Sequence, residues 1–198
     1  MKVKLLNPNK VLNENFIVSE AARRLNEPGT VLLLPTGGVY GLVCKWSDKK
    51  AKEKVYKIKR SRAFQMILWD TQEIPNCGVM FSKPARKLAM KFCPGPITIV
   101  DKDGANVALK IPGGESLLQN ILEAADAPLA IISAGRDADT VEKAVAKFYS
   151  TPDAAADMGQ LPPEKAPSTV VELISESLFK ILRPGAISEA AIRDALSA

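Results

Sequence analysis

VLLLPTGGVYGLVCKWSDKKAKEKVYKIKRSR, residues Val31–Arg62, decides how the chain is read. Its first five residues are an apolar run closed by proline, which suits a short strand buried on both faces. Thr36-Gly37-Gly38 follows, where two residues without side chains permit a turn or the close approach of another group to the backbone. Ser47 is placed to cap a helix with Asp48 in its first turn, and Ala51, Val55 and Ile58 fall on one face of that helix. The stretch therefore reads as strand, glycine turn and basic helix (47–59) in succession. Residues 45–62 carry nine lysines and arginines against Asp48 and Glu53, a local net charge of +7 in a chain that totals +5. The remainder sums to −2, so the basicity is concentrated here and points to an anionic ligand. A solvated lysine face is the alternative reading of the same residues.

The 198 residues, 46% of them hydrophobic, suffice for one buried core, and a quarter are charged, as is ordinary for a globular chain. The opening MKVKLLNPNK has lysines but no sustained apolar run before Asn7-Pro8, which predicts no signal peptide. No apolar segment approaches the ~20 residues of a membrane helix. Cys44, Cys77 and Cys93 are odd in number and widely spaced, and there is no histidine, so a disulfide framework and a zinc site are not expected. The expected setting is reducing and cytoplasmic. Without histidine, Ser-His-Asp and Cys-His catalysis are excluded. A pI near 9.1 is compatible with nucleic acid, nucleotide or other phosphate partners.

A first helix is expected over about 15–26, stopped by Pro28-Gly29, and a second strand at Met66–Trp69. Residues 71–82 read as irregular, and Lys83–Phe92 as a short helix with Pro84 in its first turn. Cys93-Pro94-Gly95-Pro96 makes a rigid bend. Ile97–Val100 and Val107–Ile111 read as strands joined by a polar turn, and Leu117–Ala125 carries a helical apolar stripe. Leu129–Ile132 is a further buried strand entering Ser133-Ala134-Gly135, with a helix expected over Asp137–Phe148. Ser133 serves equally as a helix cap or as a ligand. Residues 151–167, rich in proline, alanine and aspartate, read as a loop or lid. Two late strands, Thr169–Leu173 and Leu178–Leu182, precede Arg183-Pro184-Gly185 and a last helix capped by Ser188. Strands and helices alternate and hairpins intervene, so the class is α/β with a mixed sheet and flanking helices, in a single domain over 1–198.

Eight junctions then spell one pattern in order. They are Pro35-Thr36-x-x-Val39-Tyr40-Gly41-Leu42, Ile58-Lys59, Pro94-Gly95-Pro96-Ile97-Thr98, Val107–Pro112, Pro128-Leu129-Ala130-x-x-Ser133-Ala134, Asp157-x-Gly159, Ser168–Val171 and Arg183–Ile187. Together they resemble the YrdC/Sua5/TsaC family, the L-threonylcarbamoyladenylate synthases of tRNA modification. The resemblance implies a twisted YrdC-like sheet with a concave basic face, where ATP, L-threonine and bicarbonate become threonylcarbamoyl-AMP and pyrophosphate, with Mg2+ accompanying ATP. It implies catalytic roles for Lys59 and Arg62, and nucleotide or phosphate contacts from Lys59, Arg60, Ser133, Ser168 and Arg183. Thr36, Tyr40 and Lys110 would bind substrate, Thr36 and Tyr40 by lining the threonine pocket. No metal-ligating residues are implied.

The departures from the family pattern fall on chemical positions. PTDTVYGL reads PTGGVYGL here, losing a carboxylate and a hydroxyl at Gly37 and Gly38. Ser61 stands where K-x-R has its arginine, Met66 where a proline is usual, and Gly135 where S-A-N has its amide, with Arg136-Asp137 replacing the following Ser-Gly. Lys110 replaces an arginine and so brings a charge without a bidentate fork. A scaffold kept while polar groups are trimmed also fits a non-catalytic module binding tRNA or double-stranded RNA, or a paralogue with a changed substrate.

Overall fold

The computed structural model describes residues 2–7, 13–114, 116–163 and 167–197. In chain order the elements are α1 (Glu14–Leu25), β1 (Leu32–Pro35), β2 (Tyr40–Lys45), α2 (Lys49–Lys59), β3 (Gln65–Ile67), a 3-10 turn (Thr71–Asn76), α3 (Lys83–Phe92) and β4 (Ile97–Asp101). There follow β5 (Val107–Lys110), α4 (Leu117–Ala125), β6 (Leu129–Ser133), α5 (Val141–Val145), β7 (Ala154–Ala155), β8 (Thr169–Leu173), β9 (Phe179–Arg183) and α6 (Glu189–Ser197). The class is α/β with mixed strand pairing and flanking helices. The chain divides into two compact units, Met1–Phe64 with Glu115–Glu164, and Gln65–Gly114 with Lys165–Ala198.

In the first unit the strand order is β7-β1-β2-β6. β2 runs antiparallel to both neighbours, pairing Leu33 with Leu42 and Gly41 with Ser133, while β7 lies parallel to β1. Leu33, Tyr40, Leu42, Cys44, Ala130 and Ile132 share a core with Ala51, Val55 and Ile58 of α2 and Val141, Ala144 and Val145 of α5. Leu32, Leu34, Val43 and Ile131 alternate to the other face, where α4 packs on β1 and α1 packs on α4. With helices on both faces these strands are buried except at their last residues, which is why they read as apolar runs.

In the second unit the order is β3-β5-β4-β8-β9. β3–β5 and β4–β8 are parallel; β4–β5 and β8–β9 are antiparallel. α3 packs on β4 and α6 on α3. A buried carboxylate pins the β4–β5 turn: Asp101 accepts from the Ser82 amide and hydroxyl, each at 2.7 Å, and from the Gly104 amide at 3.2 Å.

Five local expectations are corrected. Strand, turn and helix do not follow one another at 31–59; β2 intervenes, so the glycine turn closes an antiparallel hairpin before α2 begins. Asp48 rather than Ser47 caps α2, accepting from the Ala51 amide at 2.9 Å and also from the Gly29 amide at 2.6 Å. Residues 71–76 are not irregular but a 3-10 turn with a reciprocal Asp70–Glu73 capping box. The helix expected over Asp137–Phe148 is confined to Val141–Val145, because Thr140 caps it and the residues before it form a loop. Within 151–167, Ala154, Ala155, Ala156 and Asp157 are buried, and β7 pairs with β1, so this part is built into the first unit; residues 164–166 of that stretch lie outside the described residues.

Candidate functional site

Four chain ends of the first unit meet where its sequence motifs fall. β1 ends at Pro35, β2 begins at Tyr40, β6 ends at Ser133 opposite Gly41, and α2 ends at Lys59. Val55 and Ile58 anchor α2 in the core, and the last helical residue, Lys59, sends its ammonium to the Ala134 carbonyl oxygen at 2.6 Å. Burial, and then the neighbouring Lys147 charge, push the Lys59 amine below its ordinary pKa of 10.5. A half-buried cation thus stands at the strand ends, bonded to a backbone carbonyl.

Thr36 follows β1 directly, in the turn that leads to β2. Its amide and hydroxyl both donate to the Val39 carbonyl, at 2.9 and 3.0 Å, which closes the Thr36–Val39 turn. A Cβ on Gly41 would lie 2.9 Å from the Thr36 methyl and 3.2 Å from the Ile132 carbonyl oxygen, so glycine is required for β2 to fit between them. Ser133 is exposed, and its hydroxyl accepts from the Gly135 amide at 3.3 Å. Neither Ser133 nor Asp137 caps the next helix; Thr140 does.

Tyr40, expected in the threonine pocket, has no exposed surface. Its hydroxyl donates to the Gly159 carbonyl and accepts from the Met158 amide, each at 2.9 Å, and burial raises its pKa to about 12. Tyr40 therefore holds the 158–159 backbone. The Asp157-x-Gly159 motif completes that loop, with the Asp157 carboxylate accepting from the Gly159 amide at 2.9 Å and Asn7 bonded to the Asp157 backbone.

The two arginines following Lys59 have partners of their own. Arg62 makes a bidentate pair with Glu53 at 2.7 and 3.0 Å and stacks 4.4 Å from the Tyr56 ring centre. Arg60 takes the left-handed position that ends α2, between the rings of Tyr56 and Tyr149. In the second unit, Arg183 donates through Nε and Nη2 to the Ser168 carbonyl at 3.1 and 2.7 Å, and Ser168 itself is 2% exposed. A Cβ on Gly185 would meet the Pro167 carbonyl at 2.2 Å, so the Arg-Pro-Gly corner grips the 167–169 backbone closely. Lys110 is half-buried on β5, and its carbonyl accepts from the Leu68 amide. The structure thus joins Lys59 to the Ser133–Gly135 loop, and Arg183 to Ser168.

Lys147, which the sequence reading passed over, and Asp137, read there only as a departure from the family pattern and the start of a helix, pair with each other at 2.8 Å beside Gly135. Their separation along the chain, and the helical look of the segment between them, left no local signal. Among the described residues no group of three acidic, cysteine or histidine side chains is arranged to hold a metal ion. No helix among them is long and apolar enough to cross a membrane.

Comparison with known proteins bears on this arrangement. Residues 24–185 match the Sua5/YciO/YrdC family, described as "Telomere recombination". The chain is 25% identical over 171 residues to a putative threonylcarbamoyl-AMP synthase of Methanocaldococcus jannaschii, covering 80% of this chain and 81% of that protein. It is 26% identical over 181 residues to the threonylcarbamoyl-AMP synthase of Homo sapiens, covering 81% of this chain and 64% of the relative. Its fold resembles that of P. abyssi Sua5 complexed with L-threonine, with a TM-score of 0.72 at 21% identity, over 98% of this chain and 60% of that one. The chain therefore spans less than two thirds of the human relative and of the Sua5 chain.

Proposed function

The chain belongs to the Sua5/YciO/YrdC family, and on that premise we propose that it is an enzyme making threonylcarbamoyl-AMP from ATP, L-threonine and bicarbonate. The threonine amine takes up CO2 as a carbamate; a carbamate oxygen attacks the α-phosphorus of ATP, and pyrophosphate leaves. Such a reaction needs no protein nucleophile and no histidine. It needs the reactants held together and positive charge set against several anions at once.

The observation that carries the reading is Lys59: a half-buried ammonium at the ends of β1, β2 and β6, beside the Ser133–Gly135 loop. There it would stabilise the carbamate or the phosphates. Among the described residues its hydrogen-bond partner is a neutral carbonyl, which does not compensate its charge. Thr36 would face the threonine, and Ser133, which is exposed, would bond the nucleotide. Tyr40 would act by fixing the 158–159 backbone. Arg60, Arg62, Lys110, Ser168 and Arg183 are proposed as further phosphate or substrate contacts; Arg62 would have to leave Glu53 to serve. Mg2+ would arrive with ATP as part of the substrate. The product would serve tRNA modification to threonylcarbamoyladenosine, in the cytoplasm.

The test is purified protein with ATP, Mg2+, threonine and bicarbonate. Threonine-dependent pyrophosphate release that Lys59→Ala abolishes supports the reading. Release equal in the Lys59→Ala protein, or absent from the wild type, removes it.

A second reading has an observation of its own. α2 presents Lys49, Lys50 and Lys57 to solvent, as a surface that binds tRNA or double-stranded RNA electrostatically would. Ion pairing of Lys54 with Asp153 and of Arg62 with Glu53 reduces the charge available. RNA affinity falling with salt, at a log–log slope near −0.9 per phosphate neutralised on a duplex, would favour this reading. Salt-independent or absent binding would exclude it.

A further inference from the structure

The Lys59 ammonium and the Lys147 stem meet the peptide unit between Ala134 and Gly135 from different elements. Lys59, at the end of α2, donates to the Ala134 carbonyl at 2.6 Å. Lys147, just beyond α5, lays its stem over the next residue: a Cβ on Gly135 would sit 3.0 Å from its Cδ and 3.1 Å from its Cε. Gly135 has φ +156°, a conformation that favours glycine. Any larger residue here would push Lys147 aside as well as straining the backbone. The glycine therefore makes the room in which Lys147 comes near Lys59, and the Lys147 charge is one cause of the depressed Lys59 pKa.

Two like charges brought together need a counter-ion, and this loop carries one. Lys147 pairs with Asp137 at 2.8 and 3.1 Å, yet the Asp137 side chain is 74% exposed. Lys143, the next cation of that face, is paired with Asp139 instead. An exposed pair of this kind adds little to stability, so its carboxylate is readily displaced. A free monocarboxylate would compete poorly against one tethered at high effective concentration. A multiply charged anion with oxygens for both lysines would compete well.

We propose that Lys147 is a second anion-binding cation of the Lys59 site, specific for a diphosphate group, and that Asp137 is the resident counter-ion which the diphosphate displaces. The inference rests on the reading of Lys59 as a phosphate-binding residue. It assigns to Lys147 and Asp137 roles that no sequence motif gave them, and it gives Gly135 a reason to lack a side chain.

The probe is inorganic pyrophosphate, titrated calorimetrically into the full chain with melting temperatures followed in parallel. The wild type binds. Lys147→Ala weakens binding about tenfold, the loss of one charge-assisted contact, and Lys147→Arg restores most of it. Asp137→Asn tightens binding about threefold, and that gain disappears when Lys147→Ala is added. Asp137 is largely exposed and about two thirds of the Lys147 side chain is covered; a merely structural role for either would move the melting temperature without this coupling. Unchanged affinity in Lys147→Ala, weaker binding in Asp137→Asn, or no binding by the wild type at millimolar pyrophosphate would overturn the proposal. If Lys147→Ala binds like the wild type while Lys59→Ala does not, the enzyme reading stands and this inference falls. If Lys59→Ala also binds like the wild type, both fall.

Discussion

Lys59 and Ala134 are 75 residues apart in the chain, yet the Lys59 ammonium donates to the Ala134 carbonyl oxygen at 2.6 Å. The contact ties the end of the basic helix to the loop after β6. It also places the cation where water is partly excluded, which strengthens any anion it meets and disfavours its own charged form.

The sign of that effect is testable. Folding lowers the Lys59 pKa below its ordinary 10.5, so charged Lys59 carries a folding cost at neutral pH that is relieved as pH rises from the folded value to 10.5. Anion binding should behave oppositely, weakening from a pH below 10.5 as the ammonium is lost. Isotope-edited NMR of dimethylated lysines should show one resonance, missing in Lys59→Arg, that titrates below 10.5 and moves up in Lys147→Ala. Titration at or above 10.5 would contradict the burial described.

Tyr40→Phe removes one oxygen that both donates to Gly159 and accepts from Met158. The expected cost is about 1–3 kcal/mol, the range for leaving such groups unpaired. Amide exchange at 158–159 should accelerate selectively. An unchanged denaturation midpoint and exchange pattern would show that the hydroxyl does not hold the loop.

Gly41→Ala would place a methyl 2.9 Å from the Thr36 side chain and 3.2 Å from the Ile132 carbonyl. Overpacking here should cost about 1–3 kcal/mol and should displace Thr36, raising the KM for threonine more than that for ATP in the proposed reaction. Equal effects on both KM values would argue that Thr36 does not face threonine.

Glu20 is bonded to Arg23 at 2.8 and 2.9 Å and to Arg24 at 2.6 Å, which draws its pKa from 4.5 down to about 2. A depressed carboxyl stabilises the fold fully above pH 4.5, and that contribution is lost as pH falls towards 2. Because α1 is a surface helix, the gain is about 0.5–1 kcal/mol. Glu20→Gln should therefore melt below the wild type at pH 7, and the gap should close near pH 2. A gap that persisted there would mean that the ion pairs are not its source.

Much of the fold was legible because buried strands and capped helices have local signatures. Val31–Pro35, Leu129–Ile132 and Lys83–Phe92 announce themselves by apolar runs and by Pro84 in a first turn. β2 escaped because Gly41 interrupts its run and because its need for glycine comes from Thr36 and Ile132, contacts invisible until the hairpin forms. The short α5 has the expected buried residues Val141, Ala144 and Val145, but the loop before it is fixed by tertiary bonds such as the Tyr40 amide to the Ala138 carbonyl. β7 looked like a loop because two alanines carry no pattern; pairing with β1 buries them.

Of the proposed site residues, the motifs named Lys59, Ser133 and Thr36, which the structure places at or next to element ends. The partners of each group were not legible, since Glu53 for Arg62, Met158 for Tyr40 and Asp137 for Lys147 are set by packing. Ser168 and Arg183 are joined through a backbone carbonyl, a contact that no side-chain pattern encodes.

The most direct measurement of the central claim is mass spectrometry of a reaction run with ATP, Mg2+, L-threonine and 13C-bicarbonate. The wild type should yield an adenylate of threonine carrying one labelled carbon, and Lys59→Ala should yield none. Formation of no labelled adenylate by the wild type, or of equal amounts by both proteins, would contradict the account.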